Sequence, residues 1–263
     1  MKSMSSTLGN AVIVAIDHGL HWGVYDDFED PEETLERLLA CNPDGILASV
    51  PFIRRFEETL SSHDIYTIAT LDILHDSVFP GEHRTEEIHT QVFSVEEAIR
   101  VDADAAKVAL VYGRKDNDVL EENLKFVAEA AERGQEKGLP LVVEPTLWGQ
   151  LAEDELDPDY LANANRIAFE LGANILKSPY PGTPETFALI VENAPQPVYI
   201  AGGPASETDR EVLEMVAGAV NKGAHGIMFG RKIWQREDPA PIIAALKDIV
   251  HDGASVDEAH EHL

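Results

Sequence analysis

A single cysteine, Cys41, stands among 263 residues, so no internal disulfide can form. A chain of this length must instead be held by its apolar core. Basic residues are scarce as well. Only 20 Lys plus Arg face 48 Asp plus Glu, a formal net charge of -28. So negative a surface repels nucleic acid and anionic lipid, and neither is expected as a partner. No apolar run reaches the roughly 18 residues of a membrane span. Met1–Asn10 is short and polar, unlike a secretory signal, so a cytoplasmic, soluble protein is expected. No GxGxxG follows the first apolar run, which removes the dinucleotide-binding signature. No HExxH is present, so the commonest helical zinc motif is absent too.

What is present is a hydrophobic fraction of 44%, enough for a full core. The acid excess is dispersed along the chain rather than gathered in a tail. That pattern suits a surface adapted to strong salt, where self-repulsion is screened and carboxylates keep the protein hydrated.

Eight short, apolar, β-rich runs recur, at 11–17, 44–49, 66–72, 105–112, 139–145, 174–179, 197–202 and 226–231. Continuous apolar character over so few residues is expected of parallel strands buried on both faces. Amphipathic helical stretches lie between them, at 30–40, 95–101, 119–138, 157–172 and 208–223, with another at 238–253 after the last run. Eight strands alternating with helices over about 250 residues predict an α/β fold, a (β/α)8 TIM barrel, over a single domain, 1–263. The polar, His-rich segment after the third run reads as a long loop.

In such a barrel the active site lies at the C-terminal ends of the strands. There the sequence places Asp17, Lys107, Glu144, Lys177, the pair Gly202 and Gly203, and Gly230 with Arg231. Lysine is rare, nine in all, and Lys107 and Lys177 are the two on predicted strands. A lysine near a core loses ammonium hydration, which frees its lone pair for attack on a carbonyl, and a second cation nearby favours the neutral amine further. The plainer alternative is a lysine at the rim paired with a carboxylate. Asp17 and Glu144 suit proton transfer beside a breaking carbon–carbon bond, or equally a structural ion pair. The glycines with Arg231 predict a phosphate site in the loops after the seventh and eighth strands, the usual place in this fold. His18, His21, His63, His75, His83 and His89, with Asp17, Asp72 and Asp76, could hold a metal, but lack tight ligand spacing, and no metal or other cofactor is expected. Trp22, Trp148 and Trp234 read as packing residues.

The runs "VIVAIDHG", "LPLVVEP", "RIAFELGANILKSPYPGTPETF", "PVYIAGGP" and "GAHGIMFGRKIWQRED" together resemble the class I aldolase family that includes archaeal-type fructose-1,6-bisphosphate aldolases. The resemblance spans most of the chain and is densest over 139–238. It implies a TIM barrel, a metal-independent mechanism, Lys177 as the Schiff-base lysine, Asp17 as the acid after strand one, and phosphate binding by Gly203, Gly230 and Arg231. Archaeal fructose-bisphosphate members carry a Trp-x-Tyr-Pro-Arg-Gly type segment after strand five, whose tyrosine is the acid/base. Here "EPTLWG" puts Glu144 and Thr146 in those places. Lys107 together with Glu144 looks more like the tagatose-1,6-bisphosphate aldolase branch. The resemblance therefore implies an aldolase acting on a phosphorylated sugar, with dihydroxyacetone phosphate as one partner, in a homo-oligomer. Two alternatives stand beside it. One is a Schiff-base transferase like 2-amino-3,7-dideoxy-D-threo-hept-6-ulosonate synthase or the autoinducer-2 phosphate thiolase. The other is a barrel that only binds a sugar phosphate.

Overall fold

The computed structural model describes residues 8–75, 77, 79–80, 88–203 and 208–263. Among the described residues ten strands occur in chain order: β1 (Ala11–Ala15), β2 (Gly45–Ser49), β3 (Tyr66–Thr70), β4 (Asp72–His75), β5 (Ile88–Gln91), β6 (Ala105–Tyr112), β7 (Leu141–Leu147), β8 (Ile175–Ser178), β9 (Val198–Ala201) and β10 (Gly226–Phe229). Eight of them, all but β4 and β5, close into a parallel barrel in the order β1-β10-β9-β8-β7-β6-β3-β2. The expected TIM barrel is the observed fold, with helices between the strands.

The strands are apolar on both sides because each borders two cores. On β1, Val12 and Val14 face the surrounding helices, and Ala11, Ile13 and Ala15 face the barrel interior. The interior core is completed by residues such as Leu47, Ile68, Val142, Ile175 and Met228. At the N-terminal end of the barrel Tyr199 is fully buried and its hydroxyl donates to the Leu8 carbonyl at 2.6 Å. Leu8 and Gly9, just before β1, thus cover the bottom of the barrel.

The helices start where short polar side chains can take up their free backbone N–H groups. Asp30 caps Pro31–Ala40, and Ser94, Thr183 and Thr208 each form a reciprocal capping box. Several segments given no helix from sequence are helical, Val50–Arg55 and Pro184–Asn193 among them. The first follows β2 without a connecting loop, so no turn signal separates the two. Another, His18–Trp22, begins directly after Asp17, so Asp17 lies beyond the end of β1 rather than on it.

The segment expected as a loop after the third strand differs most. It folds back as an antiparallel hairpin of β4 and β5, pairing Asp72 with Gln91 and His75 with Ile88. Each arm has only four residues, too few for alternation to stand out in a polar sequence. Leu71 anchors its base, its carbonyl accepting from Val92 and Phe93 N–H at 2.8 and 2.9 Å.

Closure of the barrel is tightest where β1 meets β10. Gly226 pairs with Ala11 and has φ +147°, and a Cβ there would collide with the Ala11 carbonyl oxygen. Overpacking and an unfavourable backbone add at such a site. Gly226→Ala is expected to cost at least about 3 kcal/mol. A denaturation midpoint within error of wild type would show that the β1–β10 junction tolerates a side chain.

Candidate active site

Strand parity puts the functional side chains in one place. On β6, Ala105 faces the interior, so Lys107, two residues on, does as well; Ile175 and Lys177 share a face of β8, and Val142 and Glu144 a face of β7. All three open on a cavity of about 730 Å³ at the C-terminal end of the barrel.

There the charges alternate. Lys177 Nζ lies 2.8 Å from Glu144 Oε1, and Lys107 Nζ lies 2.9 Å from Glu144 Oε2. Lys107 is also 3.8 Å from Asp17 Oδ2. Asp17 in turn accepts from the Thr70 hydroxyl at 2.7 Å and has His21 Nε2 within 3.5 Å. His21 is oriented from the other side, since its Nδ1 accepts the Leu74 backbone N–H at 3.2 Å, leaving the Nε2 hydrogen for Asp17. Glu144 thus stands between the two ammonium groups that the sequence had placed side by side.

The electrostatics follow from this chain. Burial alone would push the Lys107 pKa down, but the carboxylates of Glu144, Asp72 and Asp17 outweigh it and hold it well above the usual lysine range. Burial would raise Asp17; the His21 hydrogen bond and the charges of Lys107, His21 and Lys177 keep it well below the usual carboxylate range. Glu144 is lowered in the same way, burial being overcome by Lys107 and Lys177. Asp17, Glu144 and Lys107 are therefore ionised together at neutral pH.

A second layer supports Lys107. Asp72 on the hairpin is fully buried, accepts the Ala109 N–H at 2.7 Å and pairs with His89 Nε2 at 2.7 Å. Burial would raise the Asp72 pKa, but the Lys107 charge and the His89 hydrogen bond lower it. Asp72 and His89, grouped from sequence as conceivable metal ligands, are thus partners of each other. His63 is turned to its own helix, with Nδ1 2.9 Å from the Thr59 carbonyl oxygen. His83 and Asp76 lie outside the described residues. Among the described residues no three His, Cys, Asp or Glu side chains are gathered as a metal site requires.

The predicted phosphate residues all line the cavity. Gly202 and Gly203 follow β9, and Gly230 and Arg231 follow β10. Gly203 has φ +63°, the left-handed region that glycine enters without cost. Gly230 is needed for another reason too, because a Cβ there would run into His18 and come within 2.9 Å of the Ala15 carbonyl. Arg231 Nε is buried with no hydrogen-bond partner among the described residues. Its charge and that of Lys177 add to burial in lowering the His18 pKa to about 4, against a partial counter-effect from Asp17. His18 is therefore neutral at pH 7.

His18 and His21, grouped from sequence only as conceivable metal ligands, line the cavity from the short helix after Asp17, and Tyr180, which carried no expectation, lines it after β8. Trp22 and Trp148 line it as well, against the expectation of plain packing; Trp234 does pack, fully buried with Nε1 donating to the Ala15 carbonyl at 3.1 Å. The signal was available for Trp148, four residues past an inward glutamate and so of the same parity, once the end of β7 is known.

Residues 11–236 match the family model described as DeoC/LacD family aldolase. A fructose-bisphosphate aldolase class 1 of Halobacterium salinarum is 34% identical over 95% of this chain and 94% of its own length. A 2-amino-3,7-dideoxy-D-threo-hept-6-ulosonate synthase of the same species is 31% identical over 97% of this chain and 91% of its own. Among solved structures, an archaeal fructose-1,6-bisphosphate aldolase whose catalytic lysine is covalently bound to the carbinolamine intermediate superposes with a TM-score of 0.81. It is 29% identical and covers 92% of this chain and 94% of its own. The chain belongs to the DeoC/LacD family of aldolases.

Two outcomes follow from the charge chain. Lys107→Met removes the cation between Glu144 and Asp17, and breaking such a buried network is expected to cost about 3–5 kcal/mol of stability. A loss below about 1 kcal/mol by chemical denaturation would mean that the carboxylates find other partners. The lowered pKa values of Asp17, Asp72 and Glu144 stabilise the fold fully above the unfolded carboxylate values, about 3.9 to 4.3, and this stability is lost as pH falls through the folded values. Asp72→Asn should therefore show a shallower fall in stability below pH 4 than wild type, and an identical acid limb would contradict the assignment.

Proposed function

We propose that Lys177 forms the Schiff base of a class I aldolase that cleaves or makes a phosphorylated ketose, with dihydroxyacetone phosphate as the ketone partner. One observation carries this reading. Glu144 stands 2.8 Å from Lys177 and 2.9 Å from a Lys107 that is held charged, in a cavity at the C-terminal end of the barrel of an aldolase-family chain. A lysine nucleophile needs a proton acceptor within reach, and Glu144 Oε1 is that acceptor.

The steps follow from the placement. Lys177 gives one proton to Glu144 and adds as the free amine to the ketone carbon, and Glu144 passes that proton to the carbonyl oxygen. Glu144 then takes a second proton from the nitrogen and delivers it to the new hydroxyl, which leaves as water and leaves an iminium. The iminium draws in the electron pair of the C3–C4 bond as the hydroxyl on C4 loses its proton and the aldehyde departs. Glu144 takes the role that a tyrosine fills in the archaeal fructose-bisphosphate pattern, and the strand-five segment here offers Thr146 instead. Lys107 keeps Glu144 from drifting and Asp17, ionised and oriented by Thr70 and His21, accepts from a substrate hydroxyl. Gly202, Gly203, Gly230 and Arg231 hold the phosphate, whose charge the buried, unpartnered Arg231 Nε suits.

A transferase using the same lysine is the second reading, supported by the synthase of Halobacterium salinarum among the relatives. A product that forms only when a second acceptor substrate is supplied would favour it over the lyase.

The surroundings belong to the same proposal. The net charge of -28 suits a cytoplasm of high salt and disfavours nucleic acid and anionic membranes; no helix among the described residues is long and apolar enough to cross a membrane. Leu151, Tyr160 and Ile167, exposed near one another in sequence, suit the contact face of a homo-oligomer.

Borohydride reduction of the protein with dihydroxyacetone phosphate in molar potassium chloride should leave an adduct on Lys177. Lys177→Ala should lose the adduct and all turnover while remaining folded. Glu144→Gln should keep the fold and lower kcat by about 10²- to 10⁴-fold. An adduct on another lysine, or near-normal kcat in the glutamine variant, would overturn these roles. The melting temperature should rise from low to molar potassium chloride, and a flat response would argue against salt adaptation.

A further inference from the structure

The cavity is not symmetric about Lys177. Around the barrel, the glycine and arginine loops follow β9 and β10, and the strands facing them across the ring are β6 and β3. On that far side Ala109 and Val111, inward on β6 above Lys107, pack with Leu74 of the hairpin and with Trp148 after β7. These four form an apolar cluster separate from both the barrel interior and the outer core. Leu147 and Leu156 continue the apolar wall, and the charged groups beside them are Asp154 and Glu155. The cations that line the cavity among the described residues are Lys107, Lys177 and Arg231, and Glu144 is bound to the first two.

A ketose bound through Lys177 with its phosphate toward Arg231 must point its other end at this wall. A phosphate there would lose its hydration against Leu74, Val111 and Trp148 and face two carboxylates. A methyl or short alkyl end would be buried favourably. We propose that the aldehyde partner is unphosphorylated and ends in an apolar group, so that the full substrate is a ketose 1-phosphate with a deoxy terminus. This rests on the Schiff-base reading of Lys177. The reaction balances without a redox partner. The enamine carbon of dihydroxyacetone phosphate bonds to the aldehyde carbon, the aldehyde oxygen takes up the proton released when the enamine formed, and water hydrolyses the iminium.

Lactaldehyde and glyceraldehyde 3-phosphate test this directly, because they differ only in having a hydrogen or a phosphate group at the far carbon. The wild-type protein is first trapped with dihydroxyacetone phosphate and borohydride. Condensation with each aldehyde is then followed in molar potassium chloride. The expected result is a Lys177 adduct and a kcat/KM for lactaldehyde at least about tenfold above that for glyceraldehyde 3-phosphate. An adduct on Lys177 with equal or better use of glyceraldehyde 3-phosphate overturns this inference and leaves the Schiff-base reading standing. Absence of any adduct on Lys177 overturns both. Trp148→Ala should raise the KM for lactaldehyde several-fold with a smaller effect on kcat. A KM at the wild-type value overturns the role of the apolar wall.

Discussion

Glu144 accepts from Lys177 through one carboxylate oxygen and from Lys107 through the other, at 2.8 and 2.9 Å, in a site largely shielded from water. Each of the three charges would be costly to bury alone. Together they form a chain that continues from Lys107 to Asp17 and His21. The arrangement sets a directional order. Lys107 is held on both sides and is kept charged, while Lys177 ends the chain with one carboxylate partner among the described residues and an open cavity in front of it. A nucleophile needs that combination of a proton acceptor on one side and room for a carbonyl on the other.

The barrel supplies the geometry through strand parity and register. Lys107 pairs with Thr70 on one neighbour and Val142 on the other, and Ala109 pairs with Glu144. Thr70 and Lys107 therefore stand level and Glu144 one step higher, which sets the Lys107 ammonium beside Glu144 while the Thr70 hydroxyl reaches Asp17. The hairpin of β4 and β5 adds the outer brace, because Asp72 ties the Ala109 backbone to His89 and adds a further negative charge near Lys107. Its Leu74 does two further things at once: the backbone N–H orients His21, and the side chain builds the apolar wall. An insertion that reads as a polar loop is thus part of both the proton network and the binding surface.

Much of this was legible in the residues. Continuous apolar runs at regular spacing mark parallel strands buried on both faces, and eight of them allow a closed barrel. A lysine at the end of such a run is costly enough to stand out, which is why Lys177 and Lys107 could be picked from nine lysines. The hairpin was not legible, because four-residue arms in a polar segment carry too little alternation to oppose a loop reading. Helix Val50–Arg55 was missed since it starts directly after the last residue of β2 without a break. His18, His21, Trp22 and Trp148 were hidden as wall residues for a different reason. Each acquires its role from what stands across the cavity, and single histidines and tryptophans look alike whether they pack or face a ligand.

The sequence by itself determined the barrel, the inward direction of Lys107, Glu144 and Lys177, and the family, because period and hydrophobicity act locally and leave a trace in every strand. Which charges touch, and on which side of the lysine the cavity is apolar, was decided only when distant strands met. Lys107 and Lys177 are seventy residues apart in the chain, and only barrel closure at a particular register puts a carboxylate between them. The pKa values, the second layer of Asp72 and His89, and the wall of Leu74, Val111 and Trp148 all follow from that closure, since burial and Coulomb interactions depend on distance through space rather than along the chain.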